Sequence, residues 1–364
     1  MPGMIGMVRR RPLGALVTGF LIALAVLPSP AAAGQTRTYY IAAEETSWNF
    51  APVAEDLMMG MALDHDQQLY VKRTADRIGS SYKMARYIEY TDATFTTVKP
   101  RPASEAYLGI LGPILRAEVG DTIQVVFKNM ASHPYSMHPH GVFYAKESEG
   151  AMGNDGSGSH IGDGVPPGQS ITYVWEVPER AGPGPGDPSS VVWPYHSHVD
   201  AIKDPQSGLV GAIIVTAAGK ANPDGTPKGV DREFVTLFFI FNQNLSLYLD
   251  DNLAGLPDHG SKIDREDEEF EESNLKHSIN GFIFGNMPLL KMRLGEHVRW
   301  YLIGLGSESD LHTPHWHGNT VLSYGRRLDV VSLLPATTVV ADMIPDDPGI
   351  WMFHCHVNSR TMAV

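Results

Sequence analysis

Four His-x-His motifs stand out in this chain of 364 residues. They are His138-Pro139-His140, His196-Ser197-His198, His315-Trp316-His317 and His354-Cys355-His356, and they hold eight of the 15 histidines. On a β-strand, residues i and i+2 project to the same face, so each motif can offer two imidazoles to one metal ion. Neutral imidazole suits copper, zinc, iron and nickel. One such motif is a weak signal. Four of them, paired in the same order twice, are a strong one, because desolvating eight titratable rings without a partner would be costly.

Cys355 is the only cysteine. A single thiol excludes an intrachain disulfide framework and any thiolate-rich zinc or iron–sulfur site. In His354-Cys355-His356 the thiol faces away from the two imidazoles, toward a second site. A thiolate with histidines and a weak axial ligand such as Met is the ligand set of a blue-copper centre. His312, three residues before His315, is the natural first imidazole. The short backbone path from Cys355 to its flanking histidines would wire the two sites together.

These residues need strands to hold them. β-rich runs at 122–128, 171–177, 209–216, 234–241 and 297–303 are separated by turn chemistry, and no long stretch has helical periodicity. The pattern predicts an all-β protein of β-sandwiches with Greek-key connections. Residues 219–230, polar and holding Gly and Pro, read as a linker between a domain at 34–218 and another at 231–364. The two-part histidine motif on either side suggests duplicated units. Arg9, Arg10 and Arg11, an apolar run at 13–27 and Ala31-Ala32-Ala33 read as a signal peptide over 1–33. That predicts an exported chain, periplasmic or extracellular, without a stable membrane span after processing. Both secretory and twin-arginine routes stay open. The net charge of −13 argues against a nucleic-acid partner.

The segments HPHGVFYAKESEG (138–150), WPYHSHVDAIKDPQSGLVGAIIV (193–215), EEFEESNLKHSINGFIFGNMPLL (268–290), HTPHWHG (312–318) and PGIWMFHCHV (348–357) extend these motifs. In them the chain resembles the multicopper oxidases, specifically the ceruloplasmin branch. Its two domains are similar to the two-domain, small-laccase members, which assemble as homotrimers. The resemblance implies two cupredoxin-like Greek-key β-sandwich domains and a copper cofactor in three types of centre. His138 and His315 match the ligands of type 2 copper. His140, His196, His198, His317, His354 and His356 match those of the binuclear type 3 pair, and His312 and Cys355 match two ligands of type 1. His354, Cys355 and His356 then carry the electron route. The implied reaction is one-electron oxidation of a reductant, a phenol or Fe²⁺ or Cu⁺, coupled to four-electron reduction of dioxygen to water. The implied homotrimer is a head-to-tail ring in which domain 1 of one subunit meets domain 2 of the next.

Domain 1 departs from the type 1 pattern at Tyr135, Ser197 and Ile202, so it is assigned no type 1 copper. In domain 2 the family expects a histidine five residues after the cysteine, where Arg360 stands, and an axial Met or Leu beyond Val364. Arginine has no lone pair to donate. Three readings stay open: a sequence incomplete or altered at its end, a crippled type 1 site, or an atypical site completed by another group such as Met362. The second reading makes the chain a copper-binding cupredoxin protein with little oxidase activity. A copper nitrite reductase is a weaker alternative, because it needs a type 1 cysteine where Ser197 sits. The run at 264–272 carries seven acids and reads as a solvated loop or as a cation docking patch. Glu308 and Asp310, just before His312, read as receiving a reducing ion or as terminating a strand. His160 reads as a loop residue. His65, His133, His259, His277 and His297 have no partner spacing and read as structural or surface residues.

Overall fold

The computed structural model describes residues 34–261 and 263–357. The segment 1–33 that the sequence reads as a signal peptide, Arg360 and Met362 lie outside the described residues. The protein is mostly β. Its first half is two four-stranded sheets. One runs Ser81–Tyr90, Thr36–Asn49, Thr122–Asn129, Ser170–Glu176, and the other Ile114–Glu118, Val210–Thr216, Ser190–His196, His138–Pro139. Alternation in Thr122–Asn129 turns Ile123, Val125 and Phe127 inward, where they pack with Tyr173, Trp175, Ile213 and Val215 between the sheets. Burying side chains of this size is worth about 1.5–3 kcal/mol each, which is what joins the two layers.

The second half is built on a six-stranded sheet in the order Leu275–Ile279, Arg232–Asn242, Val298–Gly304, Thr338–Met343, Val321–Ser323, Arg326–Leu328. A two-stranded sheet, Pro314–Trp316 with Phe353–Cys355, carries its two His-x-His motifs. Both halves open the same way. Thr36–Asn49 pairs antiparallel with Ser81–Tyr90 and parallel with Thr122–Asn129. Arg232–Asn242 pairs antiparallel with Leu275–Ile279 and parallel with Val298–Gly304. A parallel neighbour so far along the chain requires a crossover rather than a hairpin.

Residues 219–230 form a tight hairpin. Ala221 bridges Pro227, Asn222 N–H donates to Thr226 O at 2.8 Å, and Lys228 N–H donates to Lys220 O at 2.7 Å. Val192, Val210, Ala212 and Ile214 from the first half share one buried cluster with Phe234, Trp300 and Tyr301 from the second. Among the described residues no helix is long and apolar enough to cross a membrane.

Candidate metal centre

Cross-strand register assembles the histidines. His138 sits directly opposite His196 where His138–Pro139 pairs with the end of Ser190–His196. His315 sits directly opposite His354 where Pro314–Trp316 pairs with Phe353–Cys355. Each pairing brings the neighbouring i+2 histidines with it, and two quartets result. In the first, the His138 ring lies 5.4 Å from His140, 5.7 Å from His196 and 5.0 Å from His198, centroid to centroid. His140 Nε2 comes within 3.1 Å of His196 Nε2. In the second, His354 Nε2 lies 3.2 Å from His315 Nδ1 and 3.0 Å from His317 Nε2, and the His356 ring lies 5.0 Å from that of His315. Among the described residues, histidine ring contacts run within each quartet and none joins the two. His356 is exposed, so the second quartet opens at the surface.

The glycine after the first His-x-His of each quartet is part of the device. Gly141 (φ +74°) and Gly318 (φ +62°) are in the left-handed region, and each is covered by an indole. A Cβ there would lie 2.2 Å from Trp193 or 2.7 Å from Trp351.

Cys355 turns to the other side of its strand, as alternation requires. It is 4% exposed, and its Sγ lies 3.9 Å from Nδ1 of His312, which is 1% exposed. Thr313 N–H donates to the sulfur at 3.3 Å. Asp310 places a carboxylate oxygen 3.4 Å from His312 Nε2. The first half has nothing equivalent. Tyr135 fills the position of His312 and hydrogen-bonds Tyr248 through the hydroxyls at 3.0 Å, Ser197 donates to Asp204 at 2.6 Å, and Ile202 points to solvent.

Two family profiles, both described as multicopper oxidase, match residues 88–220 and 257–363. Together they span both quartets, His312 and Cys355. The chain belongs to the multicopper oxidase family. It is 46% identical over 333 residues to Ferroxidase HEPHL1 of Homo sapiens, covering 90% of this chain and 28% of that protein. It is 43% identical to Hephaestin of Homo sapiens, with the same coverage. It is 42% identical over 335 residues to Ceruloplasmin of Homo sapiens, covering 90% of this chain and 30% of that one. The chain thus spans less than a third of the length of these relatives. Among solved structures, a multicopper oxidase (TM-score 0.55, 21% identity, 88% and 84% of the two chains) shares its fold. So does the blue copper oxidase from Nitrosomonas europaea (TM-score 0.54, 17% identity, 89% and 80%).

The family cofactor is copper, and the quartets of this multicopper oxidase fit it. His354 Nδ1–H donates to Cys355 O at 2.7 Å, His196 Nδ1–H to Ser197 O at 2.9 Å, and His138 Nδ1–H to Glu149 O at 2.8 Å. A carbonyl can only accept, so each ring carries its proton on Nδ1 and turns the Nε2 lone pair into its quartet. Burial lowers the pKa of His138, His315 and His354, and neighbouring imidazoles add to the effect. His140 falls to about 4 and His196 to about 3, again chiefly by burial. These five rings are therefore neutral and ready to donate at physiological pH. At Cys355, burial disfavours the thiolate, but the hydrogen bond with His312 and the Thr313 and Val357 N–H groups outweigh it and lower the pKa.

These shifts set the acid stability of the copper-free protein. An unfolded histidine titrates near 6.5, whereas His140 and His196 stay neutral in the fold down to about 4 and 3. Between those values the unfolded state binds more protons, so acid favours unfolding. Stability is full above about pH 6.5 and falls as the pH drops below it, by up to about 3 kcal/mol for His140 alone. Asp204, raised by burial to about 6, opposes the trend between pH 6 and 4. Urea midpoints of copper-free protein between pH 7.5 and 4.5 check this. His140→Gln is expected to flatten the slope, and an unchanged slope would contradict the assignment.

The structure also gathers the marked acids around a residue that spacing did not mark, His277. A cavity of about 750 Å³ is lined by His140 and His196 and by Glu272, His277, Glu308 and Asp310. Glu272 ends the acidic run on the helix Glu268–Ser273, which Asp267 caps by accepting from Phe270 N–H at 2.8 Å, and Tyr70 donates to its carboxylate. His277, expected as a structural or surface residue, stands in the cavity wall with a buried Nδ1 that has no hydrogen-bond partner. Cross-sheet register put it there: His277 pairs with Ile240, whose N–H donates to Asp310 at 2.8 Å. No sequence spacing links Glu272 or His277 to His312.

Proposed function

We propose that this chain is an exported oxidase that takes electrons one at a time from a reduced metal ion, Fe²⁺ or Cu⁺, and delivers them to dioxygen. The observation that carries this reading is the cavity lined by Glu272, His277, Glu308 and Asp310, which ends at the Asp310–His312–Cys355 cluster. Carboxylates and an imidazole attract and hold a cation, and a neutral phenol gains none of that charge attraction. The relatives named ferroxidase support the same choice of substrate.

His312 and Cys355 would hold type 1 copper, His138 and His315 type 2, and His140, His196, His198, His317, His354 and His356 the type 3 pair. Copper so bound supplies one-electron redox chemistry near Cys355 and four-electron reduction of dioxygen to water at the histidines. Cys355 is covalently continuous with His354 and His356, so both centres share one three-residue segment. Asp310 orients His312 from behind, and the Ser197, Cys355 and Glu149 carbonyls fix the rings of the quartets.

The open second quartet and the absence of ring contacts between quartets support a homotrimer whose clusters form where one subunit's first quartet meets the next subunit's second. A head-to-tail contact of this kind closes into a ring. Sedimentation of copper-loaded protein is expected to give a trimer, and a monomer with full cluster copper would overturn it.

Oxygen uptake by copper-loaded protein tests the activity. Faster uptake with Fe²⁺ than with 2,6-dimethoxyphenol is expected, and uptake with the phenol alone would move the reading to a laccase.

A further inference from the structure

In the first half, the place that type 1 copper would take in the second is filled by a carboxylate. Ser197 Oγ is the counterpart of Cys355 Sγ. Ser136 N–H donates to the serine oxygen at 3.0 Å as Thr313 N–H donates to the sulfur at 3.3 Å, and both donors stand two residues before a His-x-His motif. Where the sulfur faces His312, the serine hydroxyl faces Asp204. Asp204 is 1% exposed, and its Oδ2 accepts from Ser197 Oγ at 2.6 Å, from Val199 N–H at 3.0 Å and from Asp200 N–H at 3.1 Å. One oxygen thus ties down the residues on both sides of His198. Ser136 Oγ accepts from His198 N–H at 3.0 Å, and Ser197 O accepts the Nδ1–H of His196 at 2.9 Å.

We infer that Asp204 is a positioning residue for the copper cluster: its carboxylate substitutes for a metal ion as the anchor of the His196-Ser197-His198 turn, and so presets the first quartet before copper arrives. The inference rests on the proposed copper cluster, but it concerns the protein without metal. Tyr135, hydrogen-bonded to Tyr248, closes the rest of the pocket, so the anchor is made of protein alone. Groups that orient metal-bound histidines from behind are typically worth about 10–100-fold in metal affinity.

The test uses copper-free full-length protein and nitrogen-resolved imidazole NMR. Wild type is expected to show His196 as the Nδ1–H tautomer. Asp204→Asn keeps an acceptor oxygen and is expected to preserve both that tautomer and the copper affinity measured by chelator competition. Asp204→Leu removes the acceptor and is expected to give mixed tautomers and copper binding weakened about 10–100-fold. Ser197→Ala removes only the hydroxyl and is expected to shift the tautomer in the same direction, which keeps the test alive should the leucine variant not fold. A wild-type tautomer in Ser197→Ala, or an asparagine variant as damaged as the leucine one, would overturn the proposal. A failure of oxidase activity in wild type would strike the functional reading and leave this result standing.

Discussion

Cys355→Ser is expected to leave a colourless protein whose oxygen uptake falls more than about 100-fold with every donor, metal ion or phenol. The bound comes from comparison: displacing a group that merely supports a ligand costs about 10–100-fold, and Cys355 is the sole thiolate available to the centre. Serine is close in size, and the Thr313 N–H can still donate to its oxygen, so the fold should survive with little change in melting temperature. The quartets do not depend on the sulfur, and cluster copper should remain by metal analysis and by paramagnetic resonance. Retained turnover would remove Cys355 from the electron route. The same comparison bears on Arg360, which cannot ligate. Wild-type protein that binds cluster copper but is itself colourless would show that the type 1 site is crippled, and Arg360→His should then restore the colour.

Glu272→Gln with His277→Ala is the second large effect. Removing a carboxylate and an imidazole from the cavity wall should lower kcat/KM for Fe²⁺ by about 10–100-fold, chiefly through KM. A charged cleft raises the local cation concentration and encounter rate by factors of that order. The wild-type rate with Fe²⁺ should fall as ionic strength rises, and the double variant should lose most of that dependence. Turnover with 2,6-dimethoxyphenol should stay within about twofold, because a neutral donor gains nothing from the field. Equal losses for both donors would show that the pair supports the fold or the metal centre rather than the substrate.

The grouping of the histidines was legible in the sequence to the extent that its geometry is local. A His-x-His on a strand declares its own geometry, and Cys355 between two histidines must face the other way. The carried-over assignments place their residues where the quartets and the Cys355–His312 pair form. What was not legible depends on register between strands far apart in sequence. His277 matters because it lies beside Ile240, which touches Asp310. Asp204 matters because a short helix, Lys203–Gln206, carries it back under Ser197. Tyr135 is visible in the sequence as a lost ligand, but its hydroxyl partner Tyr248 is more than 100 residues away. The all-β pattern was readable from alternation. The hairpin at 219–230 was readable as turn chemistry, although its hydrogen bonds make it a fixed joint rather than a tether.

The shared buried cluster across that joint bears on how such a gene can be cut and recombined. One sheet of each half repeats the same order and direction over four strands, as modules descended from one ancestor would. Yet severing the chain at 219–230 would leave Val192, Val210, Ala212 and Ile214 bare on one fragment, and Phe234, Trp300 and Tyr301 bare on the other. Neither fragment is then a transferable cassette. Shuffling among relatives should succeed when both halves travel together, and should yield insoluble protein when one half is exchanged without matching the faces that meet.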